Sequence, residues 1–147
     1  MFKALVLVGV LAFLFGCSRG TISSDPLDHS LNQVYWAVES SMSMGIQKYS
    51  ENKRDITSRP FAVVQSAVAK KKNTHERGRA IVTILGQERP YTLEVVVEIE
   101  RSEPDNNQEY SVIRYDEGLA NKLLKDILAA IQKADRTKNV IDDFKSF

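Results

Sequence analysis

The sequence predicts an α+β fold, in which a three or four-stranded antiparallel sheet is covered on one face by an N-terminal and a C-terminal helix. Two observations predict it. Apolar and polar residues alternate along segments 79–85 and 91–101, which indicates strands with one buried face. Apolar residues in the segments before and after the strands recur every three or four positions, which is typical of amphipathic helices.

The first helix is predicted to begin at Asp25-Pro26, because aspartate caps helix N-termini and proline suits the first helical position. Its apolar stripe follows helical spacing and consists of Leu31, Val34, Tyr35, Val38, Met42, Gly45, Ile46 and Tyr49. Such stripes are usually core. Trp36 lies beside the stripe and is a candidate partner or ligand surface, with Tyr35 as a possible lining residue.

Segment 61–70 fits two structures. Phe61, Val64 and Val68 have helical spacing, whereas the abundance of valine favours a strand, and we prefer the strand. The lysines and asparagine at positions 70–73 are predicted to form a turn, with a solvated basic tip favoured over a phosphate site.

The two alternating segments are predicted to pair as a hairpin through the turn at 86–90. Polar positions of the second strand carry an acidic row, Glu94, Glu98 and Glu100, with Glu103 nearby. Paired carboxylates serve glycosidases, but alternate positions on a strand predict the solvent face of the sheet.

A third strand is predicted at 110–115, which makes the sheet a meander, and Asp116 is predicted to cap the C-terminal helix. The apolar stripe of that helix consists of Leu119, Leu123, Leu124, Ile127, Leu128 and Ile131. A short amphipathic tail, 140–147, follows and includes Phe144 and Phe147. This tail either docks on the domain or contacts a partner.

Arg77, Arg79 and Arg89 flank the two hairpin strands. Arginine suits bidentate binding of carboxylate or phosphate. Hairpin geometry, however, places the start of one strand far from its turn. We therefore expect Arg77 and Arg89 at opposite ends, and salt bridges at the surface instead of an anion site.

The chain opens with a basic residue, Lys3, and an unbroken apolar stretch from Ala4 to Phe15. This stretch is shorter than the roughly 20 residues that a transmembrane helix needs, and small and polar residues follow it. The pattern is that of a secretory signal.

The end of this signal, Leu14-Phe15-Gly16-Cys17, resembles the lipobox of bacterial lipoproteins. The resemblance implies removal of residues 1–16 and a lipid attached to Cys17, with 17–24 as a flexible tether and 25–147 as one domain. Ser18 after the cysteine implies outer-membrane sorting by the enterobacterial rule. The alternative is an uncleaved anchor with an unmodified cysteine.

Composition excludes several classes of function. Lys and Arg number 20 against 19 Asp and Glu, so no charge excess favours nucleic acid. Cys17 is the single cysteine, which rules out an intramolecular disulfide. His29 and His75 are far apart in the sequence, so we expect no metal site. No nucleophile motif is present, so we expect no enzymatic activity and no cofactor.

These observations lead to two hypotheses. The first is a lipid-anchored lipoprotein that faces the periplasm and has a structural or assembly role in an envelope protein complex, with Trp36, Phe144 and Phe147 as its partner surface. The second is a small binding module for a lipid, glycan or peptidoglycan fragment.

Overall fold

The computed structural model describes residues 20–72, 74–102 and 109–143, with side chains through residue 135. The α+β prediction is confirmed, although the sheet is larger than expected. Three helices lie in the described part of the chain: α1 (Leu31–Ser41), α2 (Ala67–Lys72) and α3 (Glu117–Asp143). Seven strands accompany them: β1 (Ile22–Ser23), β2 (Ile46–Tyr49), β3 (Asp55–Ser58), β4 (Phe61–Ala62), β5 (Glu76–Leu85), β6 (Thr92–Ser102) and β7 (Tyr110–Tyr115).

The predicted hairpin is the centre of the sheet. Strands β5 and β6 pair antiparallel along their length, from Glu76 opposite Arg101 to Leu85 opposite Thr92. On the β6 side, β7 pairs with one end of β6 and β1 with its middle, so the predicted meander is confirmed. On the β5 side, β4 pairs with one end, and β3 followed by β2 extends the sheet.

The predicted extent of the first helix is wrong at both ends. The helix begins after Ser30, whose Oγ accepts the Gln33 N–H at 3.3 Å while the Gln33 side chain accepts the Ser30 N–H at 3.0 Å. Residues before it belong to the sheet instead, since Leu27 exchanges backbone hydrogen bonds with Tyr91. At the other end, Gly45 adopts φ of 82°, which turns the chain into β2.

The folded part also includes residues that the sequence pattern assigned elsewhere. Ile22 and Ser23, placed in the tether by sequence, form β1 and pair with Val95 and Glu94 of β6. Strand β3, which lies next to β5, comes from residues 50–59, a polar and charged stretch to which the sequence pattern assigned no element.

Helices α1 and α3 pack on one face of the sheet. The buried side chains of this covered face, which form one core with those of the helices, include Val82, Leu93, Val95, Val97 and Ile99. Each such aliphatic side chain stabilises the fold by about 1.5–3 kcal/mol. Asp116 caps α3 as predicted, because its Oδ1 accepts the Leu119 N–H at 3.0 Å. The helix continues through Asp143 and so includes the first residues of the predicted separate tail.

Segment 61–70 is a strand only at Phe61–Ala62, so the preferred strand is wrong for most of it. The lysines predicted to form a turn lie instead in α2. Phe61 pairs with Gly78 of β5, and its ring lies over this glycine on the covered face, where a Cβ atom would lie 2.5 Å from the ring. Within the described ranges, no helix is long and apolar enough to cross a membrane.

Candidate functional site

The sheet face turned away from the helices is the candidate site, and we call it the open face. It consists of the alternate residues of β5 and β6 and the side chains that β7 adds beside them. Cross-strand pairing places Arg77 opposite Glu100, Arg79 opposite Glu98, and Ile81 opposite Val96. The pairing of β7 with β6 adds Tyr110, Val112 and Tyr115 to this face.

An arginine–glutamate cluster dominates one end of the open face. Arg77 Nε lies 2.6 Å from Glu100 Oε2, and Arg79 Nη1 lies 3.0 Å from Glu100 Oε1. Glu100 lies on the face that its alternate position predicts, but it is 4% exposed, so the expected solvent exposure is wrong. The two arginines of the neighbouring strand cover the carboxylate.

The two arginines outnumber the carboxylate that joins them. Arg79 Nε is buried and has no hydrogen-bond partner among the described residues. The Arg77 guanidinium lies 3.5 Å from the centroid of the Tyr110 ring, in cation–π contact. Such a contact limits the rotamers of Arg77 and keeps its planar group in a fixed position.

Exposed apolar side chains lie beside this cluster on β7. Val112 is 44% exposed and Tyr115 is 38% exposed. Strand β7 pairs with β6 alone in the described structure, so its outer edge presents free backbone donors and acceptors. Tyrosine and arginine are enriched in protein interfaces, and a strand edge can accept a further strand from a partner. The open face therefore has the chemistry of a protein interface.

The covered face holds a second charged cluster, centred on Glu76. This buried carboxylate accepts hydrogen bonds from Arg101 Nη2 at 2.6 Å, from Ser66 Oγ at 2.7 Å and from Ser66 N at 3.0 Å. Arg114 Nη2 lies 3.8 Å from Glu76 Oε2, the oxygen that accepts the Ser66 N–H. Glu76 thus clamps the residues before α2 to the end of the sheet.

The pKa of Glu76 follows from these contacts. Burial raises the pKa of the carboxyl group, but the hydrogen bonds from Arg101 and Ser66 outweigh burial and lower the pKa to about 2. The carboxylate therefore stays ionised at neutral pH. At neutral pH it is thus a charged partner for Arg101.

A cavity of about 150 Å³ opens between the C-terminal end of α1, β4 and α3. Met44, Phe61 and Leu119 line it, with Lys122 and Asp126 among the polar lining residues. A neighbouring cavity of about 340 Å³ shares Phe61 and Leu119 and is also lined by Val63, Val64, Arg114 and Asp116. Together they form an apolar depression with charged groups among its lining.

The structure separates the residues that the sequence singled out. Trp36 lies on α1 and is 51% exposed, away from the open face. Tyr35 lines a different depression, of about 480 Å³, with Tyr49. Cys17, Ser18, Phe144, Phe147 and Glu103 lie outside the described residues.

The arginine predictions are confirmed in part. The register places Arg77 at the opposite end of the hairpin from the turn that contains Arg89, and Arg77 forms an ion pair as expected. The expected surface position of that ion pair is wrong, because its carboxylate, Glu100, is buried. Sequence reasoning missed Val112 and Tyr115. Their strand was predicted, but which side chains it adds to the open face depends on the irregular pairing with β6.

His29 Nδ1 lies 3.5 Å from Asp135 Oδ2, and His75 is remote in the sequence at the start of β5. In the described part of the chain, no three His, Cys, Asp or Glu side chains are grouped so that they could hold a metal ion. No protein-family model matches this chain, and no curated protein shows significant sequence similarity to it.

Proposed function

We propose that this chain is a lipid-anchored envelope lipoprotein that binds a protein partner through the open face and has a structural or assembly role without enzymatic activity. The single observation that carries the partner proposal is the open face itself. It places two positioned arginines and Tyr110 beside exposed apolar groups and the outer edge of β7.

The anchor is supported by the sequence. The apolar signal, the lipobox-like Leu14-Phe15-Gly16-Cys17 and the following Ser18 favour acylation and an outer-membrane location facing the periplasm. Metabolic labelling with an alkyne-bearing fatty acid tests this proposal. We expect label on the wild type in the membrane fraction, and neither label nor signal cleavage for Cys17→Ala. Unlabelled wild-type protein would contradict the anchor.

The non-enzymatic assignment is supported by what the charged groups contact. Glu100 and Glu76 are each buried against two arginine side chains, which makes them parts of ion-pair clusters. A buried ion pair of this kind contributes little to the net stability of the fold, but it positions the arginine side chains that surround the carboxylate.

The partner is tested by affinity purification of the tagged protein from crosslinked cells. Val112→Glu places a charge on the open face, and Trp36→Glu is the matched control, since Trp36 is 51% exposed on α1, away from the open face. We expect the wild type and the control to retain a stoichiometric protein partner and Val112→Glu to lose it. Equal recovery with both variants would contradict the proposed surface.

The second candidate function is a binding module for a lipid, glycan or peptidoglycan fragment. The observation that favours it is the apolar cavity at Met44, Phe61 and Leu119, with Lys122 among its lining residues. Native mass spectrometry of the protein purified from membranes tests it. A small molecule retained by the wild type and lost from Lys122→Glu would favour this function over the first.

A further inference from the structure

We propose that residues 64–72, which we call the basic tip, rest on the anionic surface of the bilayer that holds the protein. This inference rests on the proposed lipid anchor at Cys17. It assigns a second membrane contact to the domain and fixes which side of the domain faces the lipid.

The exposed groups of the basic tip combine aliphatic and cationic chemistry. Val64 is 89% exposed and Val68 is 51% exposed, and the lysines at 70–72 are also exposed. None of these three lysines forms an ion pair with another described residue. Aliphatic groups that reach the acyl boundary beside ammonium groups that meet anionic headgroups are the chemistry of interfacial membrane binding.

The tip is held firmly to the domain. Gln65 Nε2 donates to the Glu76 carbonyl at 2.7 Å, and the Glu76 N–H donates to Gln65 Oε1 at 2.8 Å. Ser66, which also caps α2 through the Ala69 N–H, is bound by the Glu76 carboxylate. Because these contacts already fix the segment, its exposed valines need little further ordering to meet a surface.

The tether leaves the domain on the same side. A Cβ atom at Gly20 would lie 2.6 Å from the Cβ of Tyr115, so the chain emerges next to that residue. The two neighbours of Tyr115 in the sequence, Arg114 and Asp116, line one cavity together with Val64. The exit of the chain and the tip therefore flank the same small region.

The anchor allows little distance between this region and the lipid. Cys17 precedes Gly20 by three residues, and three residues span at most about 11 Å when fully extended. An acyl chain on Cys17 therefore holds this side of the domain close to the headgroups. The chain as a whole is almost neutral, with 20 cationic and 19 anionic side chains, so the local run of lysines determines the attraction.

The contact leaves the open face free for a partner. The side chains of Phe61 and Val63 lie over Gly78 on the covered face, whereas Arg77 lies on the other face of the same strand. The basic tip follows Val63 directly in the chain. A domain that rests on its tip can thus bind the bilayer and a protein at once.

Fluorescence quenching tests this orientation in the acylated full-length product, reconstituted on vesicles of phosphatidylethanolamine and phosphatidylglycerol with brominated acyl chains. Trp36→Phe removes the single native tryptophan, and Val64→Trp or Leu85→Trp then supplies the reporter. Both positions are exposed, so we expect each variant to have the same melting temperature as the wild type. We expect the indole at position 64 to be quenched several-fold more strongly than the indole at 85.

If the acylated protein binds vesicles but quenching is equal at the two positions, or stronger at 85, the proposed contact between the basic tip and the bilayer is overturned. Protein without lipid on Cys17 and without vesicle binding would overturn the anchor as well, so the two failures are distinguishable. In the Val64→Trp variant, the added substitutions Lys70→Gln, Lys71→Gln and Lys72→Gln should reduce quenching on anionic vesicles and leave it unchanged on phosphatidylcholine. Full quenching on anionic vesicles without these lysines would overturn the electrostatic part.

Discussion

Replacing Glu76 with glutamine removes the charge at the centre of the clamp and keeps its size. Arg101, whose side chain is 17% exposed, then loses the carboxylate that lies 2.6 Å away. A buried cation without its partner is costly, typically by about 3–5 kcal/mol. Ser66 N and Ser66 Oγ bind different oxygens of the carboxylate, so only one of these two hydrogen bonds can remain to the single amide oxygen and offset part of this cost. We therefore expect Glu76→Gln to lower the free energy of unfolding by about 3 kcal/mol at pH 7.

The same contacts make the stability of the wild type depend on pH. The pKa of Glu76 falls from 4.5 to about 2 on folding, a difference of about 2.5. Each unit of pKa corresponds to about 1.4 kcal/mol, so ionised Glu76 contributes at most about 3–4 kcal/mol. Because the folded pKa is the lower one, this contribution is complete above pH 4.5 and disappears as the pH falls towards 2.

Urea unfolding followed by circular dichroism between pH 7 and pH 2 measures both effects. Glu98→Gln is the control, because Glu98 is a half-buried carboxylate on the open face of the same strand pair. We expect the free energy of unfolding of Glu76→Gln to be well below that of the wild type at pH 7 and to approach the wild-type value near pH 2. A difference between the two that stays constant over this range, or a variant as stable as the wild type at pH 7, would refute the reasoning.

Two further substitutions test the packing and capping contacts. Gly78→Ala should destabilise the fold by about 1–3 kcal/mol, because its Cβ would meet the Phe61 ring at 2.5 Å. Thermal unfolding measures this, and Phe61→Leu should restore part of the loss; an unchanged melting temperature for Gly78→Ala would contradict the contact. Asp116→Ala should cost about 1 kcal/mol, because the cap on the Leu119 N–H is lost. Asp116→Asn should retain most of the stability in the same assay, and equal losses in both variants would argue against a capping role.

Local patterns were sufficient to predict the centre of this fold. The alternation along β5 and β6 and the cap at Asp116 are signals carried by neighbouring residues, and the structure has both. The predicted first helix is too long at its C-terminal end because Ile46 and Tyr49 continue the helical spacing by coincidence. The helix ends at Ser41, and Gly45 with its positive φ turns the chain into β2, but a glycine at a turn and a glycine in a helix look alike in sequence.

Such local patterns do not predict which distant segments of the chain pair with each other. Strand β3 is polar in sequence, and Ile56 is buried only because β5 lies beside it. Glu100 looks like a solvent residue until Arg77 and Arg79 are placed across the strand pair. The Glu76 clamp likewise joins Ser66 and Arg101, which are distant in sequence, so no local pattern announces it.

The central proposal is that the anchored protein binds a partner through the open face. The most direct test is photocrosslinking in living cells, with a photoreactive residue placed at Val112 on the open face, or at Trp36 or Tyr49, two exposed positions on the helix-covered side. We predict one protein adduct from position 112 that is absent from 36 and 49 and is lost with Cys17→Ala. Adducts from 36 or 49 alone, or no adduct at any position of a membrane-bound protein, would contradict it.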